Sequence, residues 1–465
     1  MRLTTAIALL TLASPSGLFA QTDPIRQRER DIFKEMIEVN TSDSAGNTGL
    51  LAAKVAERLK AAGFPASDIT ILGYEPKFQS LVARYRGRSA GKKPIMLMAH
   101  LDVVAARRED WSFDPYGFRE IDGYYYGRGT NDNKAGAATL VANFIRLRQE
   151  NFVPDRDLIM VLTADEETTG KSITWLMKEH RALIDAEYAL NTDGGGGSLK
   201  DGKPQAFMVQ TAEKIFLDLQ LDVRNKGGHS SMPVKDNAIY RLAAALSRIA
   251  AYDFPVRLNE TSRAFFGRAA ATETGRTAAD MRALAATNDP AAAARLSADS
   301  PYFNSVMRTT CVATLLTGGH ADNALPQLAR ANINCRILPD DTQDSVRAVL
   351  IGVIGDPGVE VSVAMAARPS PPSPLRADIV GPVERLVKDM WPTATVVPEM
   401  STGATDGLDV RNGGIPVYGV GALFDEINDS RAHGRDERVG VDAFHKSSTF
   451  WYRMVKALTS GDKSA

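Results

Sequence analysis

The sequence is poor in three features that would each point to a particular class of protein. After the first twenty residues no run approaches the roughly 20 apolar residues that span a bilayer, so no transmembrane segment is expected. The 55 basic and 56 acidic residues leave a net charge of −1, which argues against a polybasic surface for nucleic acid or anionic lipid. Cysteine and histidine are scarce, at two and six residues in a chain of 465. This length exceeds one typical domain, so two are expected.

Residues 1–20 have the pattern of a signal peptide. Arg2 supplies a positive start, residues 6–13 form a short apolar core, and Leu18-Phe-Ala20 offers a cleavage site. The alternative interpretation is a frayed apolar helix at the N-terminus. On the first interpretation the mature protein is soluble and exported, either to a periplasm or out of the cell.

Three apolar runs end in side chains that bind metal ions or transfer protons. The runs have the length and composition of buried strands: residues 93–99, 157–164 and 188–192. The polar segments that follow them are His100-Leu-Asp102, Asp165-Glu-Glu167 and Asp193. In open α/β sheets ligands bind beyond the carboxyl ends of the strands. We therefore expect the three segments at one edge of a sheet.

A glycine-rich loop, Gly127-Arg-Gly-Thr-Asn-Asp132, adds another carboxylate and leads into a helix that begins near Ala135. Packing so many carboxylates together is unfavourable unless cations neutralise them. Because an imidazole lies among them, the sequence predicts a metal site with mixed nitrogen and oxygen ligands. Taken singly, each motif has a plainer interpretation as a loop histidine or a solvated acidic turn.

Strands that alternate with helices predict an α/β fold with a mixed, largely parallel sheet flanked by helices. After Asp193 the pattern changes, and residues 215–223 alternate between apolar and polar. The elements predicted next are a helix, a hairpin, a helix and a strand: residues 237–251, 309–317 with 329–338, 342–353 and 359–364. This β-α-β-β-α-β order predicts a compact α+β unit. A long alanine-rich segment, residues 257–308, precedes its hairpin.

Cys311 and Cys335 fall in the two arms of the predicted hairpin. In an exported protein such a pair is a candidate disulfide, and two buried free thiols are the alternative because the register is unknown. Among the histidines, His180 and His445 lie in predicted helices among charged neighbours and are expected at the surface. His320 is expected in the hairpin turn.

The order of six motifs resembles the zinc-dependent exopeptidase and amidohydrolase family M20, and most of all its carboxypeptidase S and secreted N-acyl amino acid hydrolase branch. The motifs are His100-Leu-Asp102, Gly-Arg-Gly-Thr-x-Asp132, Glu166-Glu167, Asp193, Gly-Gly-His229 and His433. The resemblance implies a catalytic domain made of residues 21–213 and 368–465, after the signal peptide of residues 1–20. Residues 214–367 are then an inserted lid or dimerisation domain of the α+β type.

The resemblance also implies two zinc ions per chain, in a site that accepts cobalt or manganese. Asp132 bridges the ions, His100 and Asp193 complete one of them, and Glu167 and His433 complete the other. The family has a cis peptide after the bridging aspartate, here Asp132–Asn133. Asp102 is implied behind His100, where it orients the imidazole.

Glu166 is implied as the general base for a metal-bound hydroxide that attacks an amide carbonyl. His229 is implied to stabilise the oxyanion, reaching the site from the lid of a partner subunit, so a homodimer through the lid is expected. The substrate is a peptide, a dipeptide or an N-acyl amino acid with a free carboxylate beside the scissile amide. The residues implied in substrate binding are Asn323, Arg336, Arg368, Gly403 and Thr405. The alternative is a catalytically silent relative that uses the fold for binding.

Overall fold

The computed structural model describes residues 23–89 and 91–460; the predicted signal peptide lies outside them. The helices are α1 (Pro24–Glu38), α2 (Thr48–Ala61), α3 (Lys134–Gln149), α4 (Lys171–Glu179), α5 (Arg181–Ile184), α6 (Ala238–Ala250), α7 (Glu260–Ala269), α8 (Gly275–Thr287), α9 (Pro290–Asp299), α10 (Pro301–Met307), α11 (Gln343–Ile354), α12 (Ala377–Met390), α13 (Gly407–Asn412) and α14 (Val441–Thr459). Over this part of the chain, no helix is both long and apolar enough to cross a bilayer.

The strands are β1 (Ile69–Glu75), β2 (Phe78–Tyr85), β3 (Ile95–His100), β4 (Arg119–Ile121), β5 (Tyr124–Tyr126), β6 (Leu158–Thr163), β7 (Tyr188–Asn191), β8 (Gly196–Lys200), β9 (Lys203–Glu213), β10 (Ile215–Arg224), β11 (Gly228–His229), β12 (Thr310–Gly318), β13 (Ala324–Leu325), β14 (Leu328–Ile337), β15 (Val359–Met365), β16 (Thr395–Ser401), β17 (Val417–Gly419), β18 (Phe424–Glu426) and β19 (Arg438–Gly440).

A ten-stranded mixed sheet is the centre of the larger unit. Its order is β1-β2-β6-β3-β7-β17-β9-β8-β18, and β16 pairs with β9. The neighbours β6, β3, β7 and β17 run parallel. Antiparallel pairs flank this centre on both sides. The predicted mixed, largely parallel sheet is therefore confirmed.

Helices cover both faces of the central strands, which is why every residue of β3 and β6 is buried. On one face Leu97 and Met160 pack in the same cluster as side chains of α1, α3 and α14, such as Phe33 and Phe144. On the other face Met98 packs with residues of α4 and α13. Packing on both faces holds the strands in place, and this sets the positions of the polar segments that follow them.

A separate four-stranded antiparallel sheet, in the order β12-β14-β10-β15, follows the predicted β-α-β-β-α-β pattern. Along β14 buried and half-buried residues alternate, because α6 and α11 contribute to the core on one face only. Cys311 lies directly opposite Cys335 in this sheet, with the Cα atoms 4.1 Å apart, and the two sulfurs are bonded. The disulfide interpretation is confirmed, and the free-thiol alternative is wrong.

The alanine-rich segment folds into the helices α7–α10, which the sequence analysis did not identify. Their apolar side chains, among them Phe265, Phe266 and Leu284, share a cluster with Val397 and Met400 of β16. The segment thus packs against the ten-stranded sheet, although it is inserted into the chain of the four-stranded one. Alanine gives a helix only a weak apolar stripe, and this concealed the helical period.

The surface expectation for His445 is wrong. Its imidazole is buried and pairs through Nδ1 with Glu29, while Tyr125 Oη lies 3.3 Å from Nε2. The charged neighbours that suggested exposure, Asp442 and Lys446, pair with each other on the solvent side of α14. His180 is partly exposed and packs against Trp175, as expected of a surface residue.

We predict that the disulfide stabilises the four-stranded sheet. Replacing Cys311 and Cys335 with alanine should lower the free energy of unfolding by about 2–4 kcal/mol, because the bond closes a loop of 24 residues. Urea denaturation monitored by circular dichroism measures this change. Wild-type protein in reducing buffer is the matched control, and unfolding midpoints equal to that of the oxidised protein would contradict the prediction.

Candidate metal centre

The parallel register of three strands brings their polar ends to one edge of the sheet. His100 aligns with Thr163 of β6, and Met98 aligns with Asn191 of β7. The acidic turn after β6 and Asp193 after β7 consequently flank the imidazole of His100. His100 Nε2 lies 4.0 Å from Asp193 Oδ2.

The Asp132 carboxylate lies between two imidazoles. Its Oδ1 is 2.9 Å from His100 Nε2, and its Oδ2 is 3.0 Å from His433 Nε2. His433 Nε2 is also 3.0 Å from Glu167 Oε1. Two groups have donor atoms within 4.8 Å of one another, one of His100, Asp132 and Glu167 and one of His100, Glu166 and Asp193. The structure thus brings together all five predicted ligands, and Glu166 lies beside them.

The loop that carries Asp132 has little freedom. Gly129 adopts a φ of +89°, and a Cβ there would lie 2.8 Å from Val103 Cγ1, so a side chain is excluded. The Asp132–Asn133 peptide is cis, as the resemblance implied. Beyond it, Asn133 Oδ1 accepts a 2.7 Å hydrogen bond from Thr192 Oγ1. This bond ties the start of α3 to the end of β7.

Asp102 supports more than the imidazole. Its carboxylate accepts the backbone N–H groups of Glu166 at 3.1 Å and Glu167 at 2.9 Å. His100 Nδ1 is 3.0 Å from the Asp102 carbonyl oxygen and 3.5 Å from Oδ1. Asp102 therefore positions the imidazole and both glutamates. Asp165, the first acid of the same turn, instead accepts the Ser172 N–H at 2.9 Å near the start of α4.

The electrostatics of the centre fit a site for cations. Burial, reinforced by the charge of Asp132, raises the pKa of Asp193 to about 8. Burial and Asp193 raise the pKa of Glu166 well above its ordinary value. Hydrogen bonds to Asp132 and Glu167 raise the pKa of His433 to about 10. Carboxylates crowded in this way need either protons or metal ions, and imidazole with carboxylate is the donor set of a zinc-type site.

A buried ion pair between Arg128 and Glu437 supports the loop that carries Asp132, and it was not predicted from the sequence. Glu437 accepts the N–H groups of Gly129 at 3.0 Å, Asn131 at 2.7 Å and Asp132 at 3.1 Å. It also accepts Arg128 Nη1 at 2.7 Å. Arg128 lies in the glycine-rich loop and Glu437 lies four residues after His433, but no local signal shows that they pair across about 300 residues.

Asp406 was also missed as a neighbour of the centre. It accepts a 2.5 Å hydrogen bond from Thr163 Oγ1 at the end of β6. Burial raises its pKa to about 7. Its position directly after Gly403-Ala-Thr405, which includes two residues expected to bind substrate, was the available signal.

The residues expected to contact the substrate or the oxyanion stand on different elements from the predicted metal ligands. His229 and Asn323 share the exposed β11–β13 ribbon, where Ser230 N–H donates to the Asn323 carbonyl at 3.0 Å. Gly403 is exposed on the loop before α13, and Thr405 Oγ1 donates to Glu213 at 3.3 Å. Within residues 23–89 and 91–460, no hydrogen bond or ion pair joins a predicted metal ligand to a residue expected to contact the substrate or the oxyanion. Those residues are His229, Asn323, Arg336, Arg368, Gly403 and Thr405.

The two candidate arginines differ in their surroundings. Arg336 lies on the side of β14 away from the helices, with its guanidinium 4.8 Å from the centre of the Phe216 ring. Among the described residues no carboxylate lies within ion-pair distance of it. Arg368 pairs with Asp409 and donates to Thr174 Oγ1 at 3.3 Å. Its charge is therefore already neutralised.

Comparison with known proteins agrees with this geometry. The chain matches peptidase family M20/M25/M40 over residues 96–457. It is 28% identical to the N-fatty-acyl-amino acid synthase/hydrolase PM20D1 of Homo sapiens over 383 residues, covering 80% of this chain and 75% of that protein. It is 27% identical over 393 residues to the probable carboxypeptidase S-like 2 of Dictyostelium discoideum, covering 81% and 74%.

A solved structure shows the same fold. The M20 family metallo-carboxypeptidase Sso-CP2 from Sulfolobus solfataricus superposes with a TM-score of 0.67 at 18% identity, covering 92% of this chain and 98% of that chain. Since the family match extends over most of the sequence and includes both histidines of the centre, the chain belongs to peptidase family M20/M25/M40 and is a metallopeptidase or amidohydrolase.

Proposed function

We propose that this protein is an exported dinuclear hydrolase, with zinc as its metal, that cleaves an amide bond next to a free carboxylate. The observation that carries the proposal is the Asp132 carboxylate, which presents one oxygen to His100 and the other to His433. A carboxylate shared by two imidazoles is the donor arrangement that suits two adjacent cations.

Five side chains hold the two ions in this proposal. Asp132 would be shared by both ions, His100 and Asp193 would complete one set of ligands, and Glu167 and His433 would complete the other. Zinc suits such mixed donors, and cobalt or manganese would be accepted by them. When bound, the ions lower the pKa of water and polarise the scissile carbonyl.

Glu166 is the general base. Asp102 fixes its backbone N–H, and burial together with the charge of Asp193 raises its pKa above the ordinary value, which makes the carboxylate a stronger proton acceptor. Glu166 accepts the proton of the attacking water and returns it to the nitrogen of the leaving amine. A Glu166 oxygen also lies within 4.8 Å of ligand atoms of His100 and Asp193, which is close enough for a shared metal ion. The number of metal ions bound by a Glu166 variant therefore distinguishes a general base from a ligand.

Arg336 is the better of the two candidates for the substrate carboxylate. The guanidinium of Arg336 is partly buried and has no carboxylate partner among the described residues. It can therefore donate two parallel hydrogen bonds to the carboxylate of the substrate. Arg368 would first have to leave Asp409. Gly403 and Thr405, on the loop that precedes α13, and Asn323 complete the proposed contacts.

His229 is proposed to stabilise the oxyanion, although its ring faces Ser231 within a single chain, with Nδ1 2.8 Å from Ser231 Oγ. It can reach the centre when the lid closes, or from a second copy of the chain. The edge strand β12 supports the second route, because Val312, Leu315 and Leu316 are exposed beside its outer backbone groups. Light scattering, which gives the molar mass in solution, distinguishes a dimer from a monomer.

The substrate class is proposed from the relatives. One is named as an N-fatty-acyl-amino acid synthase/hydrolase and another as a probable carboxypeptidase S-like protein. C-terminal peptide residues, dipeptides and N-acyl amino acids all place a carboxylate beside the amide. Export is proposed from the pattern of residues 1–20, and the disulfide between Cys311 and Cys335 suits an oxidising compartment. Mass spectrometry of the mature N-terminus tests it.

The proposal is tested first by metal content together with substrate turnover. We expect two metal ions per chain, hydrolysis within a mixed panel of dipeptides and N-acyl amino acids, loss of activity with a chelator, and recovery with zinc. Elemental analysis and an amine-release assay provide the measurements. A protein that holds two ions but cleaves no member of the panel would contradict the substrate class, whereas a protein that binds no metal would favour the catalytically silent alternative.

Replacing Glu166 with glutamine should lower kcat by at least about 100-fold, because the proton acceptor is lost. Metal content should stay at the wild-type value. His229→Ala is the comparison variant, which should also retain metal and slow turnover. A Glu166→Gln protein that loses metal would make Glu166 a ligand and not the base.

Replacing Arg336 with alanine should lower kcat/KM by roughly 10–100-fold, because a charge-assisted hydrogen bond to the substrate is removed. Arg368→Ala is the matched control and should change kcat/KM by less than about threefold. Steady-state kinetics on one substrate and on its carboxamide separate the two residues. On the carboxamide, the Arg336 variant and wild-type protein should have similar kcat/KM values. Equal losses of kcat/KM on both substrates would refute the assignment.

A further inference from the structure

The two metal-binding histidines have supports of very different rigidity. His100 ends the buried strand β3, and its side chain is 1% exposed. His433 lies in the loop between β18 and β19, has a φ of +62°, and its side chain is 53% exposed. A strand between two parallel neighbours holds its side chain in place, whereas an exposed loop does so only if it is anchored.

Arg128 provides the anchor for this loop. Its Nη2 donates to the carbonyl oxygen of His433 at 3.2 Å and to that of Gly434 at 3.1 Å. Its Nη1 donates to Glu437 at 2.7 Å, and the Trp111 ring covers the guanidinium at 5.1 Å. Arg128 thus connects the backbone of the His433 loop to the loop that precedes Asp132.

Glu437 holds the other side of the same connection. Its two oxygens accept three backbone donors from the loop that carries the bridging carboxylate, those of Gly129, Asn131 and Asp132, the last at 3.1 Å. The side chains of Glu437 and Arg128 are 0% and 3% exposed. Charge-assisted hydrogen bonds between buried groups are strong and directional. The pair therefore fixes the position of His433 relative to Asp132.

We propose that Glu437 and Arg128 are positioning residues that couple the two metal sites, so that the ion held by Glu167 and His433 binds with full affinity only while the pair is intact. The inference rests on the proposed dinuclear centre and extends it, since neither side chain is among the ligands. Groups that orient metal ligands typically contribute 10–100-fold to metal affinity.

The experiment titrates metal-free protein with zinc by calorimetry and with cobalt by visible absorption. Wild-type protein is compared with Arg128→Lys and Glu437→Gln. Glu29→Gln is the matched control, because Glu29 is also a buried glutamate paired with a base, His445, in the core between α1 and α14. Thermal unfolding of the metal-free proteins shows that each variant folds.

Wild-type protein and Glu29→Gln should bind two ions. Arg128→Lys keeps the positive charge but loses the planar fork, so it should bind the first ion normally and the second 10–100-fold more weakly. Its cobalt spectrum should change less between one and two equivalents than that of wild-type protein, and should need excess cobalt to reach the same end point. Glu437→Gln should weaken both ions, since it also loosens the loop that carries Asp132.

Two ions bound with wild-type affinity by both variants would overturn the inference. A loss no larger than that of Glu29→Gln would do the same, because the pair would then contribute only general stability. Failure of the dinuclear proposal is distinguishable from these results, since wild-type protein itself would then not bind two ions.

Discussion

Repulsion among carboxylates is the constraint on which the arrangement of the catalytic unit depends. Asp132, Glu166, Glu167 and Asp193 converge on His100, and a group of this kind is stable only with counter-charge. The fold concentrates these acids by ending three parallel strands at one edge of the sheet. Three of these acids also donate their backbone N–H groups to two further carboxylates, Asp102 and Glu437, and these hydrogen bonds fix the loops that carry them.

The same chemistry recurs one layer further out. Asp102 accepts the N–H groups of the two glutamates, and Glu437 accepts those around Asp132. A carboxylate that receives backbone hydrogen bonds positions a loop without needing a cation of its own. Acidic residues thus have two roles here. Asp102 and Glu437 accept hydrogen bonds from the protein, whereas the acids that they position bind metal ions in the proposed function.

The lid is joined to the catalytic sheet through buried polar contacts near the two crossings of the chain. At the first crossing Lys214 Nζ donates to the carbonyl oxygens of Ser305 at 2.9 Å and Arg308 at 2.8 Å. At the second, Ser370 Oγ donates to Glu213, which also pairs with Arg411 of α13. The loop that carries Gly403 and Thr405 is therefore tied to the base of the lid.

Local sequence pattern predicted much of this molecule. The apolar runs before His100, Glu166 and Asp193 are strands of six, six and four residues, a length that is typical of buried strands and short for a helix. The pattern was weaker where side chains are small. The glycines after Asp193 hid β8, and alanine hid α7–α10. His445 was misplaced because neighbouring charges describe only the outer side of a helix.

The sequence by itself determined which residue types reach the edge of the sheet, since strand ends and chain order are local properties. It also placed Cys311 and Cys335 in the two arms of a predicted hairpin, whereas the register of β12 against β14 set them directly opposite each other. Only the tertiary structure decided that Asp132 lies between two imidazoles, that Arg128 pairs with Glu437, and that Arg368 is neutralised by Asp409 while Arg336 is not. These contacts join segments up to about 300 residues apart, and their geometry depends on how whole elements pack, which no local pattern specifies.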